Sequence, residues 1–121
     1  MSKKYERRIG ELIRLHVAEL LERELNDPRV NSAQVTITDV EITPDARHAT
    51  VFYSLIGDEN LKAEVARGLE SASGWFSREL GKRLRTRHTP QLTFEFDGSL
   101  ERGDRLSRLL DELKANEQPK S

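Results

Sequence analysis

Ile9, Leu12, Ile13, Val17, Leu20, Leu21 and Leu25 recur at three- and four-residue steps, which predicts an amphipathic helix of about five turns. Asn26-Asp27-Pro28 ends it, because proline has no amide to donate and disfavours a helical residue before it. A β-branched run follows from Val35 to Ile42. Val35 and Ile37 alternate in one phase and Val40 and Ile42 in the other, so a bulge is expected near Thr38-Asp39. Thr43-Pro44-Asp45-Ala46 has turn chemistry, and Ala49, Val51, Tyr53 and Leu55 alternate beyond it, completing a hairpin.

Gly57-Asp58 breaks the second strand, and Asp58 can cap a helix. Leu61, Val65, Leu69, Ala72, Phe76, Leu80 and Leu84 form one stripe, interrupted by Ser71-Ala72-Ser73-Gly74. Serine and glycine are weak helix formers, so the pattern predicts two tandem helices hinged at Ala72, Ser73 and Gly74. Thr89-Pro90 is the expected stop. Leu92, Phe94 and Phe96 predict a third strand, Asp97-Gly98 a turn, and Ser99 the cap of a last helix carrying Leu106, Leu109, Leu110 and Leu113. The order is α-β-β-α-kink-α-β-α. A helical crossover between the second and third strands allows those two to run parallel, and helices must cover the sheet's apolar face. The fold class is α+β: one domain over 1–114, then a short polar tail at 115–121.

A chain of 121 residues buries roughly two-thirds of its unfolded surface, enough for one core. With 34% charged residues but 20 basic against 21 acidic side chains, the total is nearly neutral. The absence of cysteine excludes a disulfide framework and thiol chemistry and suits a reducing compartment. No apolar run is long enough to span a membrane, and the charged start lacks a signal-peptide core, so a cytoplasmic domain is expected. Local sums say more than the total. Residues 26–74 carry a net −4, residues 75–88 a net +4, and residues 95–117 a net −3. One basic segment therefore stands on an otherwise slightly acidic chain.

Catalytic motifs are missing. His16, His48 and His88 are far apart in sequence, there is no G-x-S-x-G, and no P-loop or G-x-G-x-x-G supports a nucleotide cofactor. Asp39, Glu41, Asp45 and Asp97 could converge at a sheet edge for acid–base work or Mg²⁺, but a solvated strand face explains them as well. The chain is read as no enzyme, with no cofactor and no metal. The basic segment is more informative. Arg78, Lys82 and Arg85 are spaced to share a helix face, and Arg83 and Arg87 flank them. Such a helix either meets a polyanion or is a solvated face suited to the helix C-terminal dipole. Trp75 either stacks on a base or fills the core beside the hinge.

Leu25-Asn26-Asp27-Pro28-Arg29-Val30, Val35-Thr36-Ile37-Thr38-Asp39-Val40-Glu41, Pro44-Asp45-Ala46-Arg47-His48-Ala49 and Arg78-Glu79-Leu80-Gly81-Lys82-Arg83-Leu84-Arg85, with Thr89-Pro90 and Leu92, resemble the bacterial ribosome-binding factor A family. The resemblance runs from about Tyr5 to Leu113. It implies a KH-like fold of the type with the extra helix and strand leading. It also implies an A-x-G kink, matched by Ala72-Ser73-Gly74, in place of the G-x-x-G loop. The implied function is a late maturation factor that binds the free small ribosomal subunit and its 16S ribosomal RNA, with links to 16S processing, cold adaptation and a releasing ribosome-assembly GTPase. Combined with the charge pattern, it makes Arg78, Lys82, Arg83, Arg85, Arg87, His88 and Arg47 the RNA-contact candidates, with Lys3, Lys4, Arg7 and Arg8 as weaker additions. The chain is read as a monomer. The rival reading is a protein–protein module whose basic helix meets an acidic partner; that module would leave an apolar surplus, whereas the stripes above all fit one core.

Overall fold

The computed structural model describes residues 3–30, 34–85, 88–99 and 110. The chain runs α1 (Lys3–Arg23), β1 (Thr36–Ile42), β2 (His48–Ser54), α2 (Glu59–Arg83), β3 (Gln91–Phe96). The sheet order is β1-β2-β3, with β1 antiparallel to β2 and β2 parallel to β3. The parallel pair is possible because α2 carries the chain back across the sheet between those strands. Register shifts between Ile37 and Asp39, so the bulge falls where the hydrophobic phase changes. The extra residue returns Val40 and Ile42 to the face that Ile37 occupies, opposite Val51, Ala49 and Tyr53.

One core joins these pieces. Ile9, Ile13, Val17, Leu20 and Leu21 of α1 and Val65, Leu69, Ala72, Phe76 and Leu80 of α2 are buried with Ile37, Ala49, Val51, Tyr53 and Leu92 of the sheet. The ring of Phe76 lies 5.0 Å from Phe94 and 5.0 Å from Trp75, whose half-buried indole packs on the rim of the core. None of the described helices covers the opposite sheet face. Across it Asp39 pairs with Phe52 and Phe52 with Glu95, and Glu41 pairs with Thr50. All three carboxylate residues are exposed, and the strands contain no lysine or arginine.

Four expectations need correction. The hinge at Ala72, Ser73 and Gly74 does not divide the helix: α2 is helical throughout its 25 residues. Gly74 keeps a negative φ, Ser73 Oγ donates to the Glu70 carbonyl at 2.9 Å, and Ala72 is buried, so packing outweighs the weak local propensity. The helix also stops earlier than Thr89-Pro90 suggests. Leu84 turns extended at φ −86° and ψ 133°, burying its side chain, and Arg85 leaves the helix face of Arg78 and Lys82. Leu12 is 39% exposed, with Leu15 and Tyr5 also open, so α1 retains apolar surface outside the core. At Ser99 the capping oxygen belongs to Asp97, whose Oδ1 accepts from the Ser99 amide at 2.9 Å. The predicted last helix, apart from Leu110, and the boundary at residue 114 lie outside the described residues.

The turn after α1 is held from both sides. Asp27 accepts from Arg29 Nε at 3.0 Å, from Nη2 at 2.8 Å and from its backbone amide at 2.9 Å. Those bonds pull the Asp27 carboxyl down to about 2. Val30 then sits against α2 at Gly68, where a Cβ would stand 2.6 Å from Val30 Cγ2 and 3.3 Å from Arg29 Cβ. Gly68→Ala should therefore lower the melting temperature. Overpacking costs about 1–3 kcal/mol, against roughly 1 kcal/mol regained in helix propensity. An unchanged or raised melting temperature would show that the turn shifts freely.

Candidate nucleic-acid interface

Gly74, Ser77, Arg78 and Gly81 fall at helical steps of three and four, so they share one strip of α2. Small residues leave that strip shallow. A Cβ at Gly81 would lie 2.7 Å from Thr89 Oγ1, so the segment entering β3 packs directly on the helix. Ser77 Oγ donates to the Pro90 carbonyl at 3.4 Å. Between these walls opens a groove of about 460 Å³ lined by Arg47, Gly74, Ser77, Arg78, Gly81, Thr89, Pro90 and Gln91. Among the described residues, its lining includes two arginines and no carboxylate.

Arg47 reaches the groove from the β1–β2 turn. Thr43 Oγ1 donates to Asp45 Oδ1 at 2.6 Å, and the Arg47 amide donates to the same oxygen at 3.0 Å. The Thr43 hydroxyl, with the Arg47 amide second, holds the Asp45 carboxyl below the usual range. Ala46 takes φ 59°, a left-handed conformation that costs a non-glycine residue about 1–2 kcal/mol and is sustained by this bonding. The Arg47 carbonyl accepts from Gln91 N at 2.8 Å, which ties the turn to the start of β3.

The structure separates the predicted cluster. Arg47 and Arg78 meet in the groove, and neither has an ion pair among the described residues. Lys82, 70% exposed, donates to Glu79 Oε1 at 3.1 Å. Arg83 turns away from the groove: Nη2 donates to Glu24, just past the end of α1, at 2.8 Å and Nη1 to the Glu79 carbonyl at 3.2 Å. Arg85 and His88 are exposed beyond the helix, and Arg87 lies outside the described residues. Lys3, Lys4, Arg7 and Arg8 stand exposed at the start of α1 and do not line the groove. Ser77, Thr89 and Gln91 escaped the sequence reading; the Gly74–Gly81 spacing was the signal that could have found Ser77. Three of the acidic candidates have structural partners: Asp45 as above, while Thr38 Oγ1 donates to Asp97 Oδ2 at 2.8 Å and Val40 N to Asp39 Oδ1 at 2.8 Å.

Chemically, the groove offers two exposed arginines, the hydroxyls of Ser77 and Thr89 and two glycines that keep it shallow. That suits an extended anionic chain better than a small reacting substrate. A leading helix and strand, a parallel pair bridged by a helix and a basic groove beside that helix define an α+β domain of the KH-like type. Residues 5–110 match the family model described as Ribosome-binding factor A. A Ribosome-binding factor A from Microcystis aeruginosa is 44% identical over 112 residues, covering 93% of this chain and 88% of that protein. The crystal structure of ribosome-binding factor A from Thermus thermophilus superposes with a TM-score of 0.65 at 23% identity, covering 75% of this chain and 93% of that one. A Thermus thermophilus ribosome-binding factor A model fitted into a cryo-EM map of a 30S complex superposes at 0.61 with 22% identity, covering 77% and 96%. This chain belongs to the ribosome-binding factor A family.

Proposed function

We propose that this protein binds the free small ribosomal subunit in the cytoplasm, contacts its 16S ribosomal RNA and assists late maturation of that subunit, including 16S processing. The family match over residues 5–110 carries this reading. The Thermus relative described in a 30S complex and the acid-free groove of Arg47 and Arg78 support it. In this reading Arg47 and Arg78 are the main phosphate contacts, with Lys82, Arg85, Arg87 and His88 extending the surface. Arg83 acts mainly by anchoring α2 to α1 through Glu24. The protein works without catalysis or cofactor, as a monomer, and a ribosome-assembly GTPase is the class of partner that would release it. Sedimentation with separated small subunits, large subunits and complete ribosomes tests the reading. The expected result is co-migration with free small subunits; equal retention on small and large subunits would overturn it.

A further inference from the structure

Glu79 is the single acid between Trp75 and His88, a stretch with five lysines and arginines. Its Oε1 lies 3.1 Å from Lys82 Nζ and its Oε2 lies 3.5 Å from Arg83 Nη1. The Lys82 hydrogen bond is the leading cause of a Glu79 carboxyl held below the usual range, so the group stays ionised. Its side chain is 21% exposed, whereas that of Lys82 is 70% exposed. The carboxylate therefore covers one side of a cation otherwise open to solvent.

Fold stability does not account for this placement. Ion pairs three and four residues apart on a helix surface add little to stability. Arg83 does not depend on the Glu79 carboxylate either, because Glu24 Oε2 and the Glu79 backbone carbonyl hold it at 2.8 and 3.2 Å. Binding is different. A cation contributes to polyanion affinity by displacing condensed counterions, and one already matched by an internal carboxylate displaces fewer. A phosphate approaching Lys82 must compete with an anion that is tethered to the same helix.

We propose that Glu79 is an affinity-setting residue, an internal anion that occupies the phosphate position of Lys82 and holds the basic helix below its full affinity for RNA. The inference rests on the proposed function, since it takes the small subunit's RNA as the competing anion. It differs from a contact assignment because removing the side-chain charge should strengthen binding.

The test compares wild type, Glu79→Gln, Lys82→Ala and the double variant by salt titration of binding to purified small subunits, with polyuridylate as a second probe. Circular dichroism monitors the fold. Glu79→Gln should bind about three- to tenfold tighter near 0.1 M salt, and its log–log salt slope should steepen by about 1 unit. The gain should vanish in the Lys82→Ala background, which assigns it to that pair. Wild type bound to small subunits, with Glu79→Gln folded yet unchanged in affinity and slope, overturns the role of Glu79 and leaves the proposed function standing. Wild type that ignores small subunits removes the proposed function instead. Polyuridylate then decides Glu79 alone: an unsteepened slope, or no binding by either protein, overturns it.

Discussion

Replacing Arg47 and Arg78 together by alanine should weaken binding to small subunits by roughly ten- to a hundredfold near 0.1 M salt and leave the fold intact. The two arginines reach one groove from separate segments, and among the described residues neither has a carboxylate partner. Losing them leaves no buried charge unpaired, so the fold has little to lose. Each lost phosphate contact removes about 0.7 to 0.9 from the log–log salt slope, and the double variant should be shallower by about 1.5 to 2 units. Arg83→Ala should do the reverse. It breaks the tie to Glu24, so it should lower the melting temperature more than the salt slope. Salt titration with a thermal melt on each variant separates the two patterns. A folded Arg47→Ala/Arg78→Ala protein with wild-type affinity and slope would make the groove a solvated surface.

Phe76→Ala should cost about 3–5 kcal/mol, the range for an aromatic removed from a packed interior. Phe76 is fully buried and meets Trp75 and Phe94 at 5.0 Å each, joining α2 to β3. A domain of this size has only about 5–15 kcal/mol in total, so a large part of the population should unfold under mild denaturant. The measurement is the urea midpoint at constant slope. A shift equivalent to less than about 1 kcal/mol would show that Trp75 and Leu80 close the space. Phe76→Leu should fall between the two proteins.

The elements came through the sequence well because each has its own period. The bulge was legible because Val35 and Ile37 change phase with Val40 and Ile42, and a phase change in a half-buried strand has one geometric remedy. The helical crossover allowed a parallel β2–β3 pair, but the strand order was not legible in the sequence. The misreadings share a cause, in that distant packing decided them. Ser73 and Gly74 argue locally for a break, yet burial of Ala72 and Phe76 on either side holds the helix together. Leu84 fits the helical stripe by spacing, but it reaches the core through an extended backbone, and that moves Arg85 off the face. The site was harder still. Its arginines could be listed from the sequence, but the partner that removes Arg83 from the cluster is 59 residues away, in the turn that follows α1. Nothing in residues 75–88 announces Glu24. Arg47, thirty-odd positions before Arg78, joins it only after the turn is tied to β3.

Among the described residues, the sheet face and the groove carry opposite charge. Asp39, Glu41 and Glu95 lie on the side of the sheet away from α1 and α2, while Arg47 and Arg78 line the groove beside α2. A nearly neutral protein with charge divided in this way feels little net pull from a polyphosphate at long range but a definite torque. As it approaches, the carboxylate side is pushed outward and the groove is turned inward before any atom touches. On the proposed function, collisions in the wrong orientation should be short-lived, and the ionic-strength dependence of the association rate should carry a contribution from this rotation.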